Sequence, residues 1–445
     1  MADALNHPEA SSPNDFELPD TSDGINGTQE IEQIVLPPTD TGYRAWFLLY
    51  GCFIINVLIW GFAFSFGVLQ QYYTTHAPFS SHPNGIATIG TVATGLMYLL
   101  MPLYFSVLQR WPRTKVYATW ASLPIVAGSL IGASFAQSVG HLIAFQGVVF
   151  AVGGNLMFVP TVTYLDEWFV RRKGLAVGIM WAGDGAGGVV MPLVLEALLA
   201  RYGFRTTLRA VAVAMVLLMA PLLAFVKPRL PIAAASAQRR IDVSFLRSPL
   251  FWVLQTFNVV QGTGYFLPSS YLPIYAQSLG YSSRLGSLTL VLVNLAAMFG
   301  CILVGALVDR MEVTKVLLGI SVAAAVSILA VWGVSTSLGV LCVFALLYGF
   351  SAGAYSTAWT GMIKDVKTRG ATADANVIFG FLAAGRGLGA TISGPLSEAL
   401  IAGSAALRDE AKFGYGSEYG TLVIFSGVTA LVGGGSWAVR RLGLI

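Results

Sequence analysis

The chain has 445 residues, 55% of them hydrophobic and only 11% charged, with 26 Lys and Arg against 22 Asp and Glu. Soluble domains carry about 25% charged residues, so there are too few here to coat a soluble fold of this length. Cys52, Cys301 and Cys342 lie in apolar runs at unrelated spacings, which speaks against a disulfide frame or a thiolate metal site. The four histidines (His7, His76, His82, His141) fall in the leading segment, in one loop and at a helix edge, too shallow for a proton relay inside a membrane.

Residues 1–42 form a polar segment rich in Asp, Glu, Ser, Pro and Asn, with no Lys or Arg before Arg44. Such a composition buries too little apolar surface to offset the entropy of ordering, so a disordered tail is expected. It has neither the basic start nor the apolar run of a cleavable signal peptide. Asn26-Gly27-Thr28 matches a glycosylation acceptor, unused if the tail is cytosolic.

Twelve apolar runs follow, each near or above the roughly 20 residues that a spanning helix needs. They are placed at 45–71, 86–109, 116–136, 142–165, 175–200, 208–226, 250–276, 285–308, 316–334, 338–363, 375–401 and 421–439. Pro102, Pro124, Pro160, Pro192, Pro221, Pro268 and Pro395 fall inside them, where neighbouring helices can satisfy the freed carbonyls. The fifth run opens with a charged turn, Asp166 to Lys173, and carries the acid Asp184 deep inside; the eleventh carries Arg386.

The basic residues orient the path. Nineteen Lys and Arg fall on one side, among them Arg110, Arg171, Arg172, Lys173, Arg310, Lys315 and Arg440; only Arg201, Arg205, Arg209, Arg284, Arg408 and Lys412 fall on the other. Basic loops stay cytosolic, so both termini are expected there. Residues 228–248, basic and proline-containing, divide the runs six and six and read as a cytosolic linker between bundles at 43–227 and 249–445.

The two sixes resemble each other. Gly183-Asp184-Gly185-Ala186-Gly187 aligns with Gly385-Arg386-Gly387-Leu388-Gly389 (385 − 183 = 202), and Glu196-Ala197-Leu198 with Glu398-Ala399-Leu400 at the same offset. Arg110 and Thr114-Lys115-Val116 meet Arg310 and Thr314-Lys315-Val316 at an offset of 200, and Gly61, Leu69 and Tyr72 meet Gly264, Leu272 and Tyr275 at 203. Six spans return the chain to the side it started from, so the halves are parallel repeats. The expected fold is an all-α membrane protein of twelve transmembrane helices in two parallel pseudo-symmetric six-helix halves, which resembles the major facilitator fold, with its substrate site at mid-membrane between the halves.

Two motifs sharpen the resemblance. Gly305-Ala306-Leu307-Val308-Asp309-Arg310-Met311 is similar to the short loop that joins spans eight and nine in major facilitators. The first-half copy, Gln109-Arg110-Trp111-Pro112, lacks the acid. Trp168-Phe169-Val170-Arg171-Arg172-Lys173-Gly174-Leu175-Ala176-Val177-Gly178 resembles the signature of the monocarboxylate porter family, fungal members above all, and Asp40-Thr41-Gly42-Tyr43-Arg44-Ala45-Trp46 looks like that family's lead into the first span. The resemblance implies gating roles for Asp309, Arg310, Arg171 and Arg172. The lactate–proton mechanism of animal members is not implied: the first span carries no charge, and the eighth has Asn294, Met298 and Cys301 where those members place charges.

The candidate site follows from depth. A charge at mid-membrane costs about 2.5–3.5 kcal/mol on insertion scales and is kept for a reason. Arg386 is expected to attract an anionic or polarised substrate, and Asp184 to carry a coupled proton. Asn155, Asn258, Tyr265, Asn294 and Tyr355, with Ser65, Gln255 and Trp359, would line the cavity or brace helices. Glu196 and Glu398, near the outer helix ends, are gate or cap candidates. The glycines around 185 and 387 read as close-packing positions. No phosphate-loop pattern is present, so ATP drive, cofactor and metal are not expected. The expected activity is secondary active transport by alternating access, coupled to protons, of a small organic acid or secondary metabolite, plausibly outward across the plasma membrane. The partners are a small-molecule substrate, protons and the lipid bilayer, with no nucleic acid, and the protein is expected to be monomeric. Uptake of a vitamin-like nutrient such as riboflavin, or a non-transporting membrane sensor, stays open as an alternative. A membrane enzyme would need clustered His, Cys or acids at one depth.

Overall fold

The computed structural model describes residues 36–80, 85–230, 241–404 and 413–444. The acidic tail with its sequon, His7 and His82, linker residues 231–240, Arg408 and Lys412 lie outside the described residues. Among the described residues all regular structure is helical. Helices satisfy every backbone polar group within one segment, as a lipid surrounding demands.

Ten helical stretches are long and apolar enough to cross a membrane. Nine cross once each, some with a short turn inside: α1 Tyr43–Thr75, α2 Ile86–Arg110, α3 Thr114–Ser134, α4 Val139–Trp168, α8 Ser283–Arg310, α9 Val313–Trp332, α10 Leu338–Thr368, α11 Ala375–Gly403 and α12 Gly420–Arg441. The tenth, Lys173–Leu222, breaks at Gly203 (φ 70°, ψ 173°) into α5 (173–202) and α6 (204–222). A further 30-residue helix, α7 Pro249–Ser278, is more polar because it carries Gln255, Asn258 and Gln261. The twelve match the twelve predicted runs, with ends shifted by a few residues. The turn expected between the fifth and sixth runs shrinks to Gly203 alone, because a positive φ costs glycine little and its neighbours keep helical angles.

Large apolar side chains ring the outside: Leu217 is 68% exposed and Leu103 59%. In water such a belt would aggregate; in a bilayer it faces lipid.

Matched contacts recur in the first six and the last six helices. Asn56 of α1 donates to the Met180 carbonyl of α5 at 2.9 Å, and Asn258 of α7 donates to the Leu382 carbonyl of α11 at 2.8 Å. Donors and acceptors are each 202 positions apart (258 − 56 and 382 − 180), the offset seen in the glycine motifs.

Two seams join the sixes, α5 against α8 and α2 against α11. A Cβ on Gly178 of α5 would collide with the Cys301 carbonyl of α8, and one on Gly387 of α11 would lie 2.6 Å from the Tyr98 Cβ of α2. Glycine is therefore what lets these helices approach.

Candidate functional site

Arg386, on α11, is 2% exposed. Its guanidinium lies over the Tyr265 ring, 4.0 Å from the ring centroid, and 5.5 Å from that of Phe266. Its Nη1 donates to Gln261 Oε1 at 3.1 Å. Gln261 and Tyr265 are four residues apart, so one face of α7 grips the cation from two sides. Desolvation strengthens a cation over an aromatic face. A guanidinium has five N–H donors, so this arrangement leaves donors for a ligand.

Asp184, on α5, lies within electrostatic reach of this cation. Its Oδ1 is buried and has no hydrogen-bond partner among the described residues. No ion pair among the described residues joins it to Arg386. Tyr98 of α2, Cys301 of α8, and Tyr348 and Tyr355 of α10 also lie within electrostatic reach of Arg386. The cluster thus draws on both sixes.

The other sequence candidates separate by their partners. Tyr355 donates to the Gly433 carbonyl at 3.0 Å, and a 3-10 turn at Tyr355–Ala358 sets it against the cluster. Asn258 is fully used: it donates to Leu382 and to Gln255 Oε1 (3.2 Å) and accepts from Trp359 Nε1 (3.0 Å). Gln255 donates to the Phe381 carbonyl at 2.7 Å, and Ser65 to Gly61 at 2.6 Å. Asn155 donates to Leu96 of α2 at 3.4 Å, while its own oxygen is buried without a partner. Asn294 sits on the α5–α8 seam, donating to Leu290 at 3.0 Å and Gly188 at 3.5 Å. Sequence reasoning missed Gln261, Tyr98, Tyr348 and Phe266. Only the one-turn spacing of Gln261 and Tyr265 was available as a signal.

Beneath Arg386 and Asp184, toward the end rich in basic residues, aromatic rings from both sixes meet. Trp181 of α5 meets Trp359 of α10 (centroids 5.9 Å apart), Trp359 meets Phe379 of α11 (5.3 Å), and Phe379 meets Phe105 of α2 (5.8 Å).

Residues 46–394 match the sequence profile of the Major Facilitator Superfamily. The chain belongs to that superfamily. Its relatives include the MFS transporter asaE of Aspergillus flavus, 26% identical over 89% of this chain and 86% of that protein. The agnestins efflux protein AgnL12 of Paecilomyces divaricatus is 28% identical over 76% of this chain and 77% of its own length. The crystal structure of the human organic anion transporter MFSD10 shares the fold, with a TM-score of 0.61 at 15% identity over 87% of this chain and 99% of that one. The protein is thus a multi-pass membrane transporter.

In this transporter hydrogen bonds join the two sixes at the basic end. Asp309, in the last turn of α8, accepts from the N–H groups of Gly174 (2.7 Å) and Leu175 (2.9 Å), which open α5. Helix starts carry orphan N–H groups and a positive dipole end, so a carboxylate is well placed there. Asp40 holds the preceding turn, accepting from Val170 at 3.2 Å, Arg171 at 3.0 Å and Arg172 at 2.8 Å. Arg171 and Arg172 thus contribute backbone N–H groups while their side chains are exposed. Lys173 pairs with Asp166, which also accepts from Asn376 of α11 at 3.4 Å. Arg310 is exposed. Glu196 and Glu398, at the far end, are exposed and make no hydrogen bond or ion pair among the described residues. The hydrogen bonds between the sixes run from this basic end up to Asn294–Gly188; beyond that level, none joins them among the described residues.

The seam opposite differs. Gln109 stands where the repeat would place a second acid (309 − 200 = 109), and it lines a small cleft with Phe105, Glu167, Asp374 and Asn376. Asp374 caps α11 itself, accepting from Asn376 N–H at 2.8 Å. This cleft lies on the basic side of the Phe105–Phe379 contact, not at Arg386.

Proposed function

We propose that this transporter exports a small organic acid or secondary metabolite by proton-coupled alternating access, with Arg386 binding the substrate's negative oxygen and Asp184 carrying the proton. The observation that carries this reading is a buried Arg386 within electrostatic reach of Asp184, whose buried oxygen has no partner among the described residues, on helices from opposite sixes. Holding both in a membrane costs about 2.5–3.5 kcal/mol each, and neither makes an ion pair among the described residues. Efflux proteins for agnestins and aspyridones among the relatives support the outward direction.

The bundles at 43–227 and 249–445 rock about the linker at 228–248. Asp309 and the Trp181–Trp359–Phe379 contacts hold the basic side shut in the state described, with the site facing the far side. The excess of Lys and Arg at that end supports a cytosolic placement of both termini; the plasma membrane and a monomeric state are part of the same proposal. The signature from Trp168 to Gly178 supports a place in the monocarboxylate porter branch. An untargeted comparison of metabolites inside and outside cells with and without the gene tests the function. A compound that accumulates inside when the gene is removed is the expected result; unchanged distributions of all metabolites would refute export.

A further inference from the structure

Two stripes of side chains face each other across the α2–α11 seam. On α2, Gln109, Phe105 and Tyr98 follow at spacings of four and seven; on α11, Asn376, Phe379 and Arg386 follow at three and seven. Such spacings keep side chains on one face of a helix. The helices run in opposite directions, so the stripes match level by level. Gln109 and Asn376 line the small cleft at the basic end. Phe105 meets Phe379 with centroids 5.8 Å apart and planes at 69°. Tyr98 lies within electrostatic reach of Arg386. From the ring pair to Arg386 is seven residues, about 10 Å of helix.

The α5–α8 seam is built differently. A Cβ on Gly174, Gly178 or Gly185 would strike the carbonyl of Gly305, Cys301 or Asn294, so the two backbones touch over about three turns. Asp309 ties the same seam by accepting from Gly174 and Leu175. On α11 the N–H that matches Gly174 is that of Asn376 (174 + 202 = 376), and α11's own Asp374 takes it. Parting α2 from α11 therefore leaves this helix start capped, whereas parting α5 from α8 uncaps α5.

We propose that a transported molecule passes between the basic end and Arg386 along the α2–α11 seam, entering at the Gln109 cleft and passing a door formed by Phe105 and Phe379. Both rings are buried, at 2% and 3% exposure. A ring leaves the path by turning about its side-chain torsions, while touching backbones part only when whole helices move. Phe379 is backed by Trp359 at 5.3 Å, whereas Phe105 has no second ring against it among the described residues. Phe105 is therefore the leaf that turns. This route rests on the reading of Arg386 as the binding site.

The test is thiol accessibility in the full-length transporter, in proteoliposomes of determined orientation. The chain carries Cys52→Ala, Cys301→Ala and Cys342→Ala, with Tyr98→Cys as the reporter beyond the door. The reagent is an impermeant trimethylammonium-ethyl methanethiosulfonate added from the basic side. Phe105→Ala and Phe379→Ala, each matched to the reporter protein for thermal unfolding, should speed labelling about tenfold, since each removes the ring contact that shuts the path. Met298→Ala, which removes volume at the α5–α8 seam beside Gly185, should leave the rate unchanged. Two phenylalanine variants on different helices guard against one that fails to fold. No rise in either, or an equal rise in Met298→Ala, overturns the proposal. Arg386→Ala separates the levels. If it abolishes export while neither phenylalanine variant speeds labelling, the site stands and the route falls. If both phenylalanine variants speed labelling while export survives Arg386→Ala, the route stands and the reading of Arg386 falls.

Discussion

Asp309 and Gly174 meet across the two sets of helices, the carboxylate of one accepting the backbone N–H of the other at 2.7 Å. The bond ties the last turn of α8 to the first turn of α5, and a second bond to Leu175 doubles it. In the proposed cycle both break when the basic end opens. Asp309→Asn removes the charge from a helix start, a loss of about 1–2 kcal/mol. A cysteine placed at Asn376 should then react with an impermeant maleimide about five to thirtyfold faster from the basic side. An unchanged labelling rate would mean that Asp309 does not hold the end closed.

The seams respond to volume. Gly178→Val pushes a side chain into the Cys301 carbonyl of α8, and overpacking of this kind costs about 1–3 kcal/mol. Gly128 of α3 has nothing within 4 Å of an added Cβ. There Gly128→Ala should be neutral or stabilise by up to about 1 kcal/mol, since alanine favours helix. Thermal unfolding in detergent reads both. Equal behaviour of the two variants would remove the close approach of α5 and α8 as a structural requirement.

Much of this architecture was open to reading before any coordinates. Each spanning helix is an apolar run bounded by charged or glycine-rich turns, so its existence is a local property of the chain. The offset of 202 between Asp184 and Arg386 marked the repeat, and the Asn56 and Asn258 bonds now follow it. What was not legible depends on which helix faces which. Gln261 is one more polar residue in a long run until Arg386 is placed opposite it. Asn258 and Gln255 looked like cavity residues, yet their donors and acceptors go to α11 and Trp359. The contribution of Arg171 and Arg172 through backbone rather than side chain could not be read from residue type, because it depends on Asp40 reaching a turn 130 residues away.

Asp40 gives a dependence on pH. Burial pushes its carboxyl pKa up, but the N–H donors of Arg171, Arg172 and Val170, with the Arg172 charge, outweigh this and hold it below the usual 3.8. A folded value below the unfolded one means that the stabilisation is fully present above the unfolded pKa and is lost as pH falls through the folded one. The gap in unfolding temperature between native and Asp40→Asn should therefore stay constant from about pH 7 to 5 and close below about pH 4. A gap that widens on acidification would contradict the sign of the shift.

The central claim is that Asp184 and Arg386 together carry the transported molecule and its proton. The most direct measurement is the ratio of metabolite outside to inside for cells bearing native, Asp184→Asn or Arg386→Ala protein at equal surface expression. The account expects both variants to fall to the ratio of cells without the gene, for the same compounds that the native protein moves. Native ratios in both variants would show that transport proceeds without either charge and would contradict it.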